Sequence, residues 1–172
     1  KPICLAVTRG RPVVVLPGFP TSAIFTFHEF VAPVLSAMAG RSVTERATVQ
    51  AKLAVRVNSE IGRTEYLLVG LVPADDGLAA YPMGQGSGSV TTFSRADGFT
   101  TIGRHEEIVP AGTTVTVQLI GRELQLADLV VIGSHCVGLD FLLGELHRDG
   151  VRPKFLAVGS AAGLEAAKRG EC

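Results

Sequence analysis

From residue 45 to residue 121 the apolar side chains recur at every second position, and that period makes half-buried β-strands the natural elements of the segment. Val49, Ala51, Leu53, Val55 and Val57 alternate with Thr48, Gln50, Lys52 and Arg56. Thr64 to Val72 forms a second run, and Pro73-Ala74-Asp75-Asp76-Gly77 supplies turn chemistry before Leu78 to Met83. Phe99 to Ile102 is a short strand. Pro110-Ala111-Gly112 then precedes Thr113 to Ile120, which alternates through Val115, Val117 and Leu119. Short strands at this spacing predict a small barrel or sandwich.

The flanks have other periods. Ile3 to Val7 and Pro12 to Leu16 read as two strands joined by Thr8-Arg9-Gly10-Arg11. After Pro20, Thr21 and Ser22 offer an N-cap hydroxyl, and Ile24, Phe27, Phe30, Val31, Val34 and Met38 recur at helical spacing. Gly40 suits the C′ position, and Pro33 predicts a kink because it cannot donate to the carbonyl of Glu29. Beyond residue 126 the pattern is strand (Leu129 to Ile132), helix (Leu139 to His147), strand (Phe155 to Val158) and helix (Leu164 to Arg169).

The fold class is therefore α/β plus β: an α/β remnant over residues 1–40, a small barrel-like β domain over 45–121, and a β-α-β-α half lobe of a parallel sheet over 126–172. Gly121 to Gln125 is the expected linker. A chain that starts directly in a strand and stops after one short helix is what a fragment looks like.

Composition narrows the partners. The 172 residues carry 16 basic and 16 acidic side chains, a formal net charge of zero, which argues against a nucleic-acid binder. No run of 18 apolar residues predicts a membrane span. Cys4, Cys136 and Cys172 are too few and too scattered for a disulfide framework or a zinc site, so a reducing cytoplasm is the expected location.

Three stretches carry candidate chemistry. In Leu16-Pro17-Gly18-Phe19-Pro20-Thr21-Ser22-Ala23, the prolines make a rigid bend that aims backbone groups and the Ser22 hydroxyl past the end of a strand. The same residues also suit a plain strand-to-helix turn. Gly84-Gln85-Gly86-Ser87-Gly88-Ser89, followed by Phe93-Ser94-Arg95-Ala96-Asp97-Gly98, presents backbone N–H groups and hydroxyls fit for an anionic oxygen. A hairpin tip without a ligand is its alternative.

The third stretch is an internal repeat. Ile132-Gly133-Ser134-His135-Cys136-Val137-Gly138-Leu139-Asp140 resembles Val158-Gly159-Ser160-Ala161-Ala162-Gly163-Leu164-Glu165. Each places a serine and a helix N-terminus at the carboxyl end of a strand, where an anion is stabilised. Ser134, His135 and Ser160 are the candidate anion contacts, with ordinary βα-loop material as the alternative. His135 beside Cys136 is expected to be structural or ligand-contacting, since neighbouring residues converge poorly on one ion.

Read together, residues 1 to about 121 resemble the C-terminal part of the MoeA-type molybdopterin molybdenumtransferases, the family that includes the E domain of gephyrin. Lys1-Pro2 looks like the end of that family's P-G-K-P element, and Leu16 to Ala23 resembles L-P-G-N-P-V-S-A. Gly62-Arg63-Thr64-Glu65-Tyr66 resembles G-R-x-E-F, and Gly84 to Gly98 resembles the G-Q-G-S-G and R-A-D-G run.

The resemblance implies insertion of molybdate into adenylylated molybdopterin with release of AMP, Mg²⁺ as cofactor, and a homodimer. It implies substrate contacts at Lys1, Pro17, Gly18, Pro20, Ser22, Arg63, Gln85, Gly86 and Ser87. Two departures stand out: Phe19 replaces the family asparagine, and Leu68 falls where many members carry arginine. The acidic substrate-handling motifs of the family are not among these residues, so the catalytic set is incomplete and this piece alone is expected to be inactive. Residues 126–172 look like the start of a periplasmic-binding-protein domain, similar to LysR-type effector domains. That likeness implies a small anion, such as molybdate, at Ser134 and Ser160. The rival reading is a non-catalytic, ligand-sensing protein on an insertase scaffold.

Overall fold

The computed structural model describes residues 3–41, 46–84 and 90–172, with residues 90–92 described by their backbone alone. It divides into two compact units, Lys1–Arg46 with Gly84–Arg95, and Ala47–Met83 with Ala96–Cys172.

In the first unit, β1 (Cys4–Thr8) and β2 (Arg11–Val15) form an antiparallel hairpin in which Thr8 faces Arg11. Arg9 and Gly10 are left as a two-residue turn with φ of 49° and 73°. Positive φ at both central residues is the type I′ geometry that matches strand twist, and a glycine at the second position makes it inexpensive. All ten strand residues are exposed.

The expected helix after Pro20 exists in three parts: α1 (Pro20–Thr26), a π-helical turn over Phe27–Val31, and α2 (Ala32–Met38). Pro33 produces a widened turn ahead of itself, closed by Ala32 N–H on the carbonyl of Phe27. The extra residue in that turn lies where the pyrrolidine ring would strike the preceding carbonyls. The expected hydroxyl cap is not used. Phe19 is the N-cap and Pro20 the first helical residue, because the fixed φ of proline starts the helix one residue early. Gly40, at φ 66°, ends α2: Arg41 N–H reaches Ser36 O at 2.9 Å and Gly40 N–H reaches Ala37 O at 3.1 Å.

Where a glycine-rich loop was expected up to residue 98, Val90–Arg95 forms a short helix, α3. The rings of Phe25 on α1 and Phe93 on α3 meet edge to face at 6.1 Å.

In the second unit the alternating segments close into a barrel. Its strands are β3 (Thr48–Leu53), β5 (Glu65–Ala74), β6 (Gly77–Pro82), β7 (Gly98–Ile102) and β9 (Thr114–Leu119), in the order β3-β6-β5-β7-β9. Two-residue strands β4 (Val57–Asn58) and β8 (Ile108–Val109) pair separately beside it. Neighbours are antiparallel except at β3–β6, a parallel seam of two residue pairs, Lys52 with Ala79 and Leu53 with Ala80. Leu53, Leu67, Val69, Leu71, Val117 and Leu119 fill the interior. Where β7 crosses β9, a Cβ on Gly98 would lie 2.5 Å from Gln118 O, so that position admits no larger residue without movement.

The last four elements follow the expected β-α-β-α order: β10 (Leu129–Gly133), α4 (Val137–Arg148), β11 (Pro153–Ala157) and α5 (Ser160–Lys168). β10 and β11 are parallel, with Leu129 opposite Pro153. This layer packs on the outside of the barrel, where Ile132, Leu156 and Ala166 share a core with Val72, Ala79 and Tyr81. Asp128, just before β10, and Arg152, just before β11, form a two-pronged ion pair at 2.7 and 3.0 Å.

The tail after α5 returns to the barrel wall. The Tyr81 hydroxyl donates to the buried carboxylate of Glu171, and Arg169 donates to both oxygens of that carboxylate at 2.7 Å. Burial raises the Tyr81 phenol above its usual range, and the carboxylate that accepts its proton raises it further. A folded pKa above the unfolded value of about 10 means that this contact stabilises the fold below pH 10 and is lost at higher pH. An ultraviolet titration will find this phenol ionising later than a free tyrosine. Glu171→Gln will bring it back toward the free value.

Candidate functional site

The candidate residues fall into both units. In the first unit, β2 delivers the chain to Leu16-Pro17-Gly18, and α1 begins at Pro20. Pro17 is buried, Gly18 and Pro20 are exposed, and Ser22 is half-buried inside the first turn of α1. Thr21 is buried, and among the described residues its Oγ1 has no hydrogen-bond partner. Phe19, 44% exposed, stands at the helix start. Lys1, Gln85, Gly86 and Ser87 lie outside the described residues.

In the second unit Arg63 follows Gly62, whose φ of 88° suits glycine. The Arg63 guanidinium donates to Glu60 at 2.8 Å, and both side chains are exposed. Leu68 is buried on β5, opposite Phe99 of β7. It is a packing residue here, and an arginine at this position would carry its charge into the barrel wall.

Ser134 and Ser160 lie side by side, a contact that the repeat alone does not state. Their hydroxyl oxygens lie 2.7 Å apart, just beyond the carboxyl ends of the parallel strands β10 and β11. The pairing follows from the backbone. Gly133 O accepts both Val158 N–H at 3.0 Å and Gly159 N–H at 3.1 Å, and Gly159 turns with φ 85° into α5. Neither α4, whose N-cap is Cys136, nor α5, whose N-cap is Gly159, has a side-chain cap at its first N–H groups. One hydroxyl proton is used between the serines, which leaves the other to offer to a ligand.

His135 has partners of its own. Its Nε2 lies 2.8 Å from the carboxylate of Asp140, and its ring stacks obliquely on Phe155 at 5.8 Å. Among the described residues no group of three or more His, Cys, Asp or Glu could hold a metal ion. The three cysteines are free and exposed.

Two contacts were not foreseen: the Tyr81–Glu171–Arg169 cluster, and a pair between Lys154 on β11 and Asp97. A signal for the second existed. Lys154 is the one charge in the strand Pro-Lys-Phe-Leu-Ala, and a lysine in a buried strand requires a carboxylate.

The serine pair depends on a close approach at Gly163, where a Cβ would lie 2.5 Å from Ile132 O. Gly163→Ala will push α5 off β10 and cost about 1–3 kcal/mol in urea unfolding. Gly144→Ala, on α4 with open space around it, will instead stabilise the fold by about 0.4–1 kcal/mol.

Residues 50–120 match the family model of the MoeA C-terminal region (domain IV). A comparison with curated proteins gives no match. Among solved structures, the chain resembles a molybdopterin biosynthesis MoeA protein from Pyrococcus horikosii, with 38% identity and a TM-score of 0.56 over 69% of this chain and 29% of the other. It also resembles a molybdenum cofactor biosynthesis protein from Pyrococcus furiosus, with 27% identity and a TM-score of 0.52 over 62% of this chain and 38% of the other. The chain thus spans well under half the length of either neighbour. By sequence over the barrel, and by fold, it is similar to MoeA-type proteins of molybdopterin biosynthesis.

Proposed function

We propose that this chain is the C-terminal portion of a molybdenum insertase, acting in molybdenum cofactor biosynthesis on adenylylated molybdopterin and molybdate, with release of AMP. The observation that carries this reading is the closed barrel, whose residues 50–120 match the MoeA C-terminal region. In this reading Lys1, Pro17, Gly18, Pro20 and Ser22 act in substrate binding. Arg63, Gln85, Gly86 and Ser87 are substrate-binding residues of the same reading. The protein works as a cytoplasmic homodimer. No helix among the described residues is long and apolar enough to cross a membrane. In this reading Mg²⁺ is the cofactor and helps to bind the substrate.

What the residues do follows from their types. Two prolines hold the Leu16–Ala23 bend rigid, so a phosphate-bearing substrate meets backbone groups already in place. Arg63 is exposed and, among the described residues, pairs with the exposed carboxylate of Glu60, which it can exchange for a substrate anion at little cost. The protein expressed from its complete gene will restore molybdoenzyme activity to an insertase-deficient strain, and Arg63→Ala will reduce it. No restoration by the unaltered gene would refute the enzymatic reading.

The second reading is ligand sensing on an insertase scaffold, with residues 126–172 as the start of a periplasmic-binding-protein-like domain. The Ser134–Ser160 hydroxyl pair is the observation that favours it. Calorimetry with molybdate, tungstate, sulfate and AMP tests it: binding of an oxyanion, abolished in Ser134→Ala/Ser160→Ala, is the expected result. Absence of heat from every oxyanion would remove this reading.

A further inference from the structure

Between β6 and β7 the chain leaves the barrel and returns to it, and both stems hang on neighbouring carbonyls of β5. Met83 N–H donates to Leu68 O at 2.9 Å on the outgoing side, and Asp97 N–H donates to Val69 O at 3.0 Å on the return. The return stem is held further. The Asp97 carboxylate accepts the Leu71 N–H at 2.5 Å, and the Asp97 carbonyl accepts Ile120 N–H at 3.0 Å.

Over this corner lies Lys154, whose ammonium donates to the same carboxylate oxygen and to Leu71 O at 2.9 Å. The two side chains are only 15% and 17% exposed. A carboxylate and an ammonium so enclosed are each costly alone, and removal of one leaves the other uncompensated. Lys154 belongs to β11, outside the residues that match the MoeA C-terminal region. The barrel's own Asp97 thus takes its counter-ion from the layer added to it.

We propose that Lys154 is a positioning residue for the return stem: it keeps the Asp97 carboxylate on the Leu71 amide and so fixes Asp97-Gly98 on the barrel. The geometric part stands on the contacts above. Its bearing on catalysis rests on the functional reading in which the Gly84–Gly98 run meets substrate.

Amide hydrogen exchange on the full chain tests it, with Lys154→Met and Asp97→Asn as variants. In Lys154→Met the Leu71, Asp97 and Ile120 amides will exchange about tenfold faster, while Met83 and Leu119 stay within about twofold. Asp97→Asn will loosen the Leu71 and Ile120 amides likewise, and the double variant will add nothing to it. A uniform rise at all these amides, or no change at Leu71, would overturn the proposal. Where Lys154→Met does not fold, Lys154→Arg keeps the charge: Leu71 protection retained supports the proposal, and uniform loss overturns it. In the insertion assay, run on the protein expressed from its complete gene, the KM for the molybdopterin substrate will rise about tenfold in Lys154→Met with kcat within about twofold. An unchanged KM would overturn the catalytic bearing. An inactive unaltered protein would refute the functional reading and leave the exchange result to decide the positioning role.

Discussion

β5 is buried on both of its faces, and the second unit is arranged around that fact. Leu67, Val69 and Leu71 point into the barrel, while Val72 lies in the core shared with the outer layer. A strand in a small barrel would ordinarily show one face to water. Here Ile132, Leu156 and Ala166 cover the outside, and a Cβ on Gly70 would meet Leu156 and Met83 at ordinary contact distance. The parallel layer of β10 and β11 is therefore a wall of the barrel's surroundings. Its buried polar contacts follow the same interface: Tyr81 with Glu171, and Lys154 with Asp97.

That arrangement bears on what the last part of the chain does. An appended sensor would be expected to make few contacts with its neighbour. The layer formed by residues 129–168 instead shares an apolar core with the barrel and contributes a largely buried ion pair to it. The rim at Ser134 and Ser160 lies at the carboxyl ends of strands whose flank is fixed to β5 and β6. Any ligand there would act on a rigid support.

Much of the fold was legible because short-range rules decided it. The Arg9-Gly10 turn, the Gly40 helix end and the alternation through Val49, Ala51 and Leu53 each depend on residues a few positions apart. The setting of Ser134 and Ser160 was legible for a related reason, since the repeat placed both residues just beyond parallel strands; their mutual contact was not. Long-range choices were not. The β4–β8 pair joins residues some fifty positions apart in strands too short to show a period. The helix at Val90–Arg95 contains β-branched residues whose intrinsic preference is for strand. Pro33 was legible as an irregularity, but its resolution as a π-helical turn depends on packing that spacing does not reveal.

The central claim is that the barrel and the β-α-β-α layer form one cooperative structure. Urea unfolding followed by nuclear magnetic resonance at Val117, inside the barrel, and Phe155, on β11, tests it most directly. The account predicts coincident midpoints for the two probes. A separate transition at Phe155, at lower urea and with the barrel signal intact, would contradict it.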